Sequence, residues 1–112
     1  MSYKLVFSPV FKITLKRLCN FLSRKFSRAL AKETKLSIQK ELIERLPENP
    51  LIGPVCDRLL DLGVAGYRQL MIDEHNIVIY RVDDEKEQIS ILLVFDSRQS
   101  LEQLLTDVNL ML

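Results

Sequence analysis

Gly66-Tyr67-Arg68-Gln69-Leu70, Ile77-Val78-Ile79-Tyr80-Arg81-Val82-Asp83-Asp84 and Ile89-Ser90-Ile91-Leu92-Leu93-Val94-Phe95-Asp96-Ser97-Arg98-Gln99 are three closely spaced runs dominated by β-branched, aromatic and leucine side chains, with an arginine in each. Asp73-Glu74-His75-Asn76 supplies a turn between the first two, and Asp83 to Glu87 an acidic turn between the second and third. The block therefore reads as an antiparallel meander. Side chains alternate along a strand, so Arg68 shares a face with Leu70 and Ile72, while Tyr67, Gln69 and Met71 look the other way. By the same rule Arg81 shares a face with Ile77 and Ile79. The second and third runs are apolar on both faces, whereas a sheet with one wet face would alternate with polar residues. Both faces are expected to be covered, with a partner as one candidate for the cover.

Outward from the meander, Tyr3 to Phe7 reads as a short strand, and Ser8-Pro9 offers an N-cap followed by proline at the first helical position. Phe11, Leu15, Leu18 and Leu22 then recur at helical spacing, with Cys19 and Phe26 alongside. A break is expected in Ser23 to Ser27, where Ser27 is a second possible cap. From Arg28 to Leu46 a second helix is expected, with Ala29, Leu36 and Ile43 recurring every seven residues beside Leu42 and Leu46. Leu46-Pro47 ends it, because the residue before a proline is pushed out of the α region. Residues 47–66 hold all three glycines and three of the four prolines. They form a connection with at most a short turn of helix around Asp57 to Leu62. Ser100-Leu101-Glu102-Gln103 fits a capping box, with Gln103 reaching back to the Ser100 backbone, and starts a last helix through roughly Leu110. The order β-α-α-β-β-β-α defines an α+β fold with an antiparallel sheet packed on an N-terminal helical hairpin.

A chain of 112 residues suits one domain, 1–112, and its 47% hydrophobic content fits a soluble globular fold. The net charge of +1 hides an asymmetry: residues 1–46 hold 11 Lys/Arg against 3 Asp/Glu, and residues 47–112 hold 5 against 12. The basic half is expected to face something anionic, either nucleic acid or an acidic protein segment. Leu5-Val6-Phe7 is stopped by Ser8-Pro9, so no N-terminal signal is read, and no apolar run approaches membrane-spanning length. Cys19 and Cys56 have no metal-ligand spacing and fit reduced thiols in the cytoplasm.

The element order, Ser8-Pro9 at the first helix, Gly66-Tyr67-Arg68 opening the meander, Tyr80-Arg81-Val82-Asp83-Asp84 ending its second strand and Arg98-Gln99 after its third together resemble the RelE/ParE superfamily of bacterial toxin–antitoxin toxins. The resemblance covers about residues 3–105. It implies a small cytoplasmic toxin held inactive in a hetero-oligomer by a cognate antitoxin, ParD-like or of another ribbon-helix-helix type. DNA would be reached only through that antitoxin, with no membrane, metal or cofactor involved. RelE-like members cut messenger RNA on the ribosome, and ParE-like members inhibit DNA gyrase.

Cutting RNA at the 2′-hydroxyl needs a base, an acid and positive charge on the phosphate. In the RelE-like pattern, Arg68 matches one basic position on the first meander strand and Arg98 the arginine after the third. The other positions hold Leu70, Ile77 and, where a C-terminal tyrosine is expected, Leu104. Asp96-Ser97-Arg98-Gln99 resembles the ParE-like stretch, with Asp96 where a histidine often stands. The resemblance thus implies gyrase inhibition by binding, with no catalytic residue. The alternatives are a RelE-type ribonuclease using Arg68 and Arg98, or a diverged, non-toxic binding module.

Individual residues keep two readings. Arg68, Arg81 and Arg98 either make salt bridges with Asp73, Asp83, Asp84 or Asp96, or contact a partner. Arg24, Lys25 and Arg28 form either a solvated helix junction or a contact to an acidic antitoxin tail, gyrase or DNA; without aromatic interleaving the run is a weak nucleic-acid site. Arg68, Arg98, Arg24, Lys25 and Arg28 are the target-binding candidates. Phe11, Leu15, Leu18 and Leu22 are core residues that in part form an antitoxin groove; Tyr67, Met71 and Tyr80 complete the antitoxin-binding candidates, with Tyr67 and Tyr80 also read as sheet packing residues. His75, alone in a turn, supports neither a triad nor a metal site.

Overall fold

Three of the four helices start on a serine, and each serine caps through its own hydroxyl. In the computed structural model, which describes residues 2–108, the chain runs β1 (Lys4–Phe7), α1 (Pro9–Lys25), α2 (Arg28–Arg45), α3 (Asp57–Asp61), β2 (Arg68–Met71), β3 (Asn76–Asp83), β4 (Gln88–Asp96) and α4 (Leu101–Asp107). Ser8 Oγ accepts from the Phe11 N–H at 2.9 Å and donates to the Leu92 carbonyl at 2.7 Å, so one side chain caps α1 and ties it to β4. Ser27 Oγ accepts from Leu30 N–H at 3.0 Å, and such a cap contributes about 1 kcal/mol. Ser100 Oγ accepts from Gln103 N–H at 3.2 Å, but the Gln103 amide donates to Asp107 four residues on. Only half of the expected capping box forms, because the Gln103 side chain is turned along the helix to Asp107 and its oxygen does not reach back to the Ser100 N–H. The stretch expected to carry α4 on to Leu110 passes beyond the described residues.

The sheet order is β1-β4-β3-β2, and β2, β3 and β4 form the antiparallel meander. β1 adds in parallel, Lys4 opposite Gln88 and Phe7 opposite Ile91. A strand so distant in sequence is free to pair either way, and apolar periodicity carries no information on direction. The β3–β4 register slips between Ile79, opposite Leu93, and Tyr80, opposite Ile91, which leaves Leu92 as a bulge. The bulge reverses the alternation of β4. Ile89, Ile91 and Val94 therefore face the hairpin, while Leu93 and Phe95 face the other side.

On the hairpin side, Phe11, Leu15, Leu18 and Leu22 of α1 and Ala31, Ile38 and Leu42 of α2 pack on Leu70, Val78, Tyr80 and β4. On the other side, Leu59 of α3 and Leu101 and Leu104 of α4 pack on Ile77, Ile79, Leu93 and Phe95. The second face is thus covered by this chain's own short helices, so no partner is needed there. A second correction concerns α2, whose buried positions are Ala31, Thr34, Ile38 and Leu42. Leu36 and Ile43 of the expected seven-residue repeat are 57% and 60% exposed. Apolar residues lie all around α2, and packing against α1 selects the 31-34-38-42 stripe over the 29-36-43 one.

The connection 47–66 is held down by Tyr80. Its hydroxyl donates to the Pro50 carbonyl at 2.8 Å and accepts from Gly53 N–H at 3.0 Å. Cys56 N–H then donates to the Tyr67 carbonyl and Gln69 N–H to the Pro54 carbonyl, both at 2.9 Å, which covers much of the β2 edge. Gly53 is required by space: a Cβ there would overlap the Gln69 carbonyl and sit 2.9 Å from the Tyr80 hydroxyl.

Candidate functional site

The two long helices leave a groove of about 730 Å³ between them, with Phe7 of β1 at one end. Phe11, Leu15 and Cys19 of α1 and Ala31 and Ile43 of α2 line it with apolar surface, and Phe7 packs on Phe11 at 5.2 Å between ring centres. Lys12, Lys16, Lys32 and Lys35 stand around this surface. All four are exposed, and none belongs to a salt bridge among the described residues. Burial pushes the Cys19 thiol up, against the opposing pull of Lys35, so the sulfur near the Ala31 carbonyl is an uncharged thiol at neutral pH. An apolar trough flanked by four lysines fits an amphipathic segment with acidic flanks.

The antitoxin-binding candidates are split by the fold. Phe11 and Leu15 reach the groove, whereas Leu18 and Leu22 lie behind it in the core. Tyr80 is fully buried and bonded through its hydroxyl, so it is unavailable to a partner. Burial pushes that hydroxyl's pKa up, opposed by the Gly53 N–H and the charges of Arg68 and Arg45. Tyr67 packs with the second cluster, and the exposed Met71 points to the same side of β2. The candidates do not form one surface.

The sheet arginines do not converge either. Arg68 donates to the Gly53 carbonyl at 2.8 Å and makes no salt bridge among the described residues. Arg81, expected to pair with the acidic turn, makes no salt bridge among the described residues and lies 6.0 Å from the centre of the Tyr67 ring. Arg98 grips Asp96 with two parallel bonds, Nε to Oδ1 at 2.8 Å and Nη2 to Oδ2 at 2.6 Å, and its backbone N–H adds a third at 2.8 Å. Burial alone would raise the Asp96 carboxyl pKa; the Arg98 bonds outweigh it and hold the group below its ordinary value. Arg68 lies opposite Tyr80 and Asp96 opposite Asn76, four residues apart on β3, or about 13 Å along the strand. Each guanidinium is held by its own partner, Gly53 for Arg68 and Asp96 for Arg98, so the two do not meet in a shared site. Leu70, Ile77 and Leu104, at the positions where the nuclease pattern needs polar groups, are 3%, 4% and 5% exposed.

At the far end of the hairpin, Arg24, Lys25 and Arg28 are exposed around Phe26, which is itself 49% exposed. Phe26 was expected beside the core stripe of α1; it ends the helix instead, at the C-cap, where the chain turns. The Arg98 guanidinium lies 5.4 Å from its ring centre, and Lys25 Nζ lies 5.5 Å from that of Phe21. The basic run therefore does carry an accessible aromatic. The signal was the Phe26 between Lys25 and Ser27, misread because its spacing continues the apolar stripe. His75 is exposed in its turn, and the turn is built by Asp73, whose carboxylate accepts from the His75 and Asn76 N–H groups and the Asn76 amide.

Among the described residues no group of three His, Cys, Asp or Glu side chains could hold a metal, and no helix is long and apolar enough to cross a membrane. The family described as ParE toxin of type II toxin–antitoxin system, parDE, matches residues 5–101. No curated protein matches the sequence. Among solved structures, the chain is similar to the toxin–antitoxin complex RelBE2 from Mycobacterium tuberculosis, with 20% identity, 86% of this chain and 99% of that chain covered, and a TM-score of 0.63. The chromosomal ParDE system of P. aeruginosa gives 16% identity, 85% and 96% coverage and a TM-score of 0.67. A mutant of the E. coli toxin RelE in the free state gives 21% identity, full coverage of both chains and a TM-score of 0.56. At these identities the likeness is one of fold.

Proposed function

This chain belongs to the ParE toxin family of type II toxin–antitoxin systems, and from that premise we propose that it is a cytoplasmic toxin that inhibits DNA gyrase by binding it. The observation that carries this reading is the burial of Leu70, Ile77 and Leu104 in the core, where a ribosome-dependent nuclease of the RelE type would place groups that move protons. Arg98 is paired through both nitrogens of its fork with the Asp96 carboxylate, and Arg68 is committed to a backbone carbonyl. Neither is poised as the charge clamp of a cleaved phosphate. Inhibition by binding requires only a complementary surface, and the hairpin offers the exposed positive charge for one: Arg24, Lys25 and Arg28, with Lys12, Lys16, Lys32 and Lys35 along the groove.

The antitoxin is proposed to neutralise this surface by laying an acidic, amphipathic tail in the α1–α2 groove. Apolar residues of the tail would contact Phe11, Leu15 and Ile43, and its carboxylates the four lysines. The test of function is induced expression in bacteria with plasmid supercoiling and protein synthesis read from the same culture. Loss of supercoiling before any fall in synthesis supports the gyrase reading. An immediate fall in synthesis with cut messenger RNA and normal supercoiling overturns it.

A further inference from the structure

We infer that the hairpin tip, built from Arg24, Lys25, Phe26 and Arg28 with Arg98 stacked on the ring, is a binding site for single-stranded nucleic acid. This departs from the expectation that DNA is reached only through the antitoxin. It does not depend on gyrase being the target.

Three features support the assignment. The first is uncompensated charge: Arg24, Lys25 and Arg28 are exposed and without salt bridges among the described residues. α2 opens beside them with no acidic residue in its first turn, although an acid there would be favourable for the helix. The acid brought closest through Arg98 is Asp96, which is buried and consumed by that arginine. The second is the ring: Phe26 is half-exposed among the charges beside Arg98, so part of its surface is open to an unpaired base. The third is how the ring is held. The fork from Asp96 fixes Arg98, and Arg98 lies 5.4 Å from the Phe26 ring centre, so the platform is preset before any ligand arrives.

The chemistry favours nucleic acid over an acidic peptide. Guanidinium forks match phosphate oxygens, and an exposed ring matches an unpaired base, whose π-face is hidden in a duplex. The groove by contrast has an apolar trough suited to leucine-like side chains, and the tip has none.

The test is fluorescence anisotropy of a labelled 20-residue oligothymidine titrated with the purified full-length protein, alongside the same length as a duplex and as oligouridine, and with oligoglutamate as competitor. Binding should weaken with salt at a log–log slope of about −2, as three phosphate contacts on a single strand give. The duplex should bind at least about threefold more weakly than the single strand, by loss of stacking. Arg24→Glu with Arg28→Glu should reduce binding by more than about twentyfold, and Phe26→Ala by about tenfold on the single strand but little on the duplex. Arg24→Gln with Arg28→Gln serves if the reversal disturbs folding, and Lys16→Glu with Lys35→Glu should stay within about threefold of the wild type. Oligouridine binding like oligothymidine supports a site that reads phosphate and base face without the sugar. No oligonucleotide binding at low salt overturns the inference. So does loss of binding in the groove variant with retention in the tip variants, or displacement of the oligonucleotide by oligoglutamate at equal concentration of charge.

Discussion

The sheet and the hairpin both carry positive charge, and they use it in opposite ways. On the sheet each arginine is absorbed by the chain itself: Arg68 by the Gly53 carbonyl, Arg81 by the Tyr67 ring, Arg98 by Asp96 and Phe26. On the hairpin Lys12, Lys16, Lys32 and Lys35 surround an apolar groove, and Arg24, Lys25 and Arg28 surround an exposed ring. A charge held by internal bonds at 2.6 to 2.8 Å organises the fold, whereas a charge left in solvent beside apolar surface is available to a partner. The same residue type is thus scaffold on one layer and contact surface on the other.

The comparison would break most visibly at the scaffold. Gly53→Ala pushes a methyl into the Gln69 carbonyl and the Tyr80 hydroxyl, undoing the Tyr80 bonds that hold residues 50–53. Denaturant titration should show a loss of about 3 kcal/mol or more; an unchanged midpoint would mean the loop is not pinned as described. Next comes the hairpin, where Lys16→Glu with Lys35→Glu should weaken a complex with the cognate antitoxin by at least about tenfold. Thermal stability should hardly change, and calorimetric titration measures the affinity. Equal affinity would remove the groove from the antitoxin interface.

A subtler probe is pH. The Asp96 carboxyl is held below its ordinary value when folded, so its pairing stabilises the protein fully above about pH 4 and is lost as pH falls through the folded value. Asp96→Asn should therefore melt lower than the wild type at pH 7, and the gap should narrow as pH falls below the ordinary carboxylate range. A gap independent of pH would assign the effect to shape rather than charge. Smallest of all, Arg81→Ala should cost about 0.5–1 kcal/mol, the worth of an exposed cation–π contact, and leave antitoxin binding untouched.

Local chemistry carried the element boundaries. Ser8-Pro9, Ser27 and Ser100 announced three helix starts, because caps act over a few residues; α2 also ends before Pro47, but Leu46 keeps α-helical dihedrals, so the N–H that Pro47 lacks stops the helix rather than a displaced Leu46. What the sequence hid was decided by tertiary packing. The α2 stripe was ambiguous until α1 selected Ile38 and Leu42 over Leu36 and Ile43. The Leu92 bulge, which reverses the β4 faces, has no local signature, and the cover of the second face by α3 and α4 depends on how distant segments meet. At the candidate site, Phe11 and Leu15 were legible as groove residues, and Tyr80 as a packing residue as well as a contact candidate; the two hydroxyl bonds that tie it to residues 50–53 cannot be seen in alternation alone. Phe26 fell on an apolar period and so hid as core, although it sits at the turn.

The central claim, that the hairpin is the working surface and the sheet its support, is tested most directly by titrating the purified toxin into a supercoiling reaction of purified gyrase. Wild type, Arg68→Ala and the tip variant Arg24→Glu with Arg28→Glu would be compared. Supercoiling should be blocked by the wild type, blocked within about twofold of that concentration by Arg68→Ala, and left intact by the tip variant. Inhibition that survives reversal of the tip and disappears with Arg68→Ala would contradict the account.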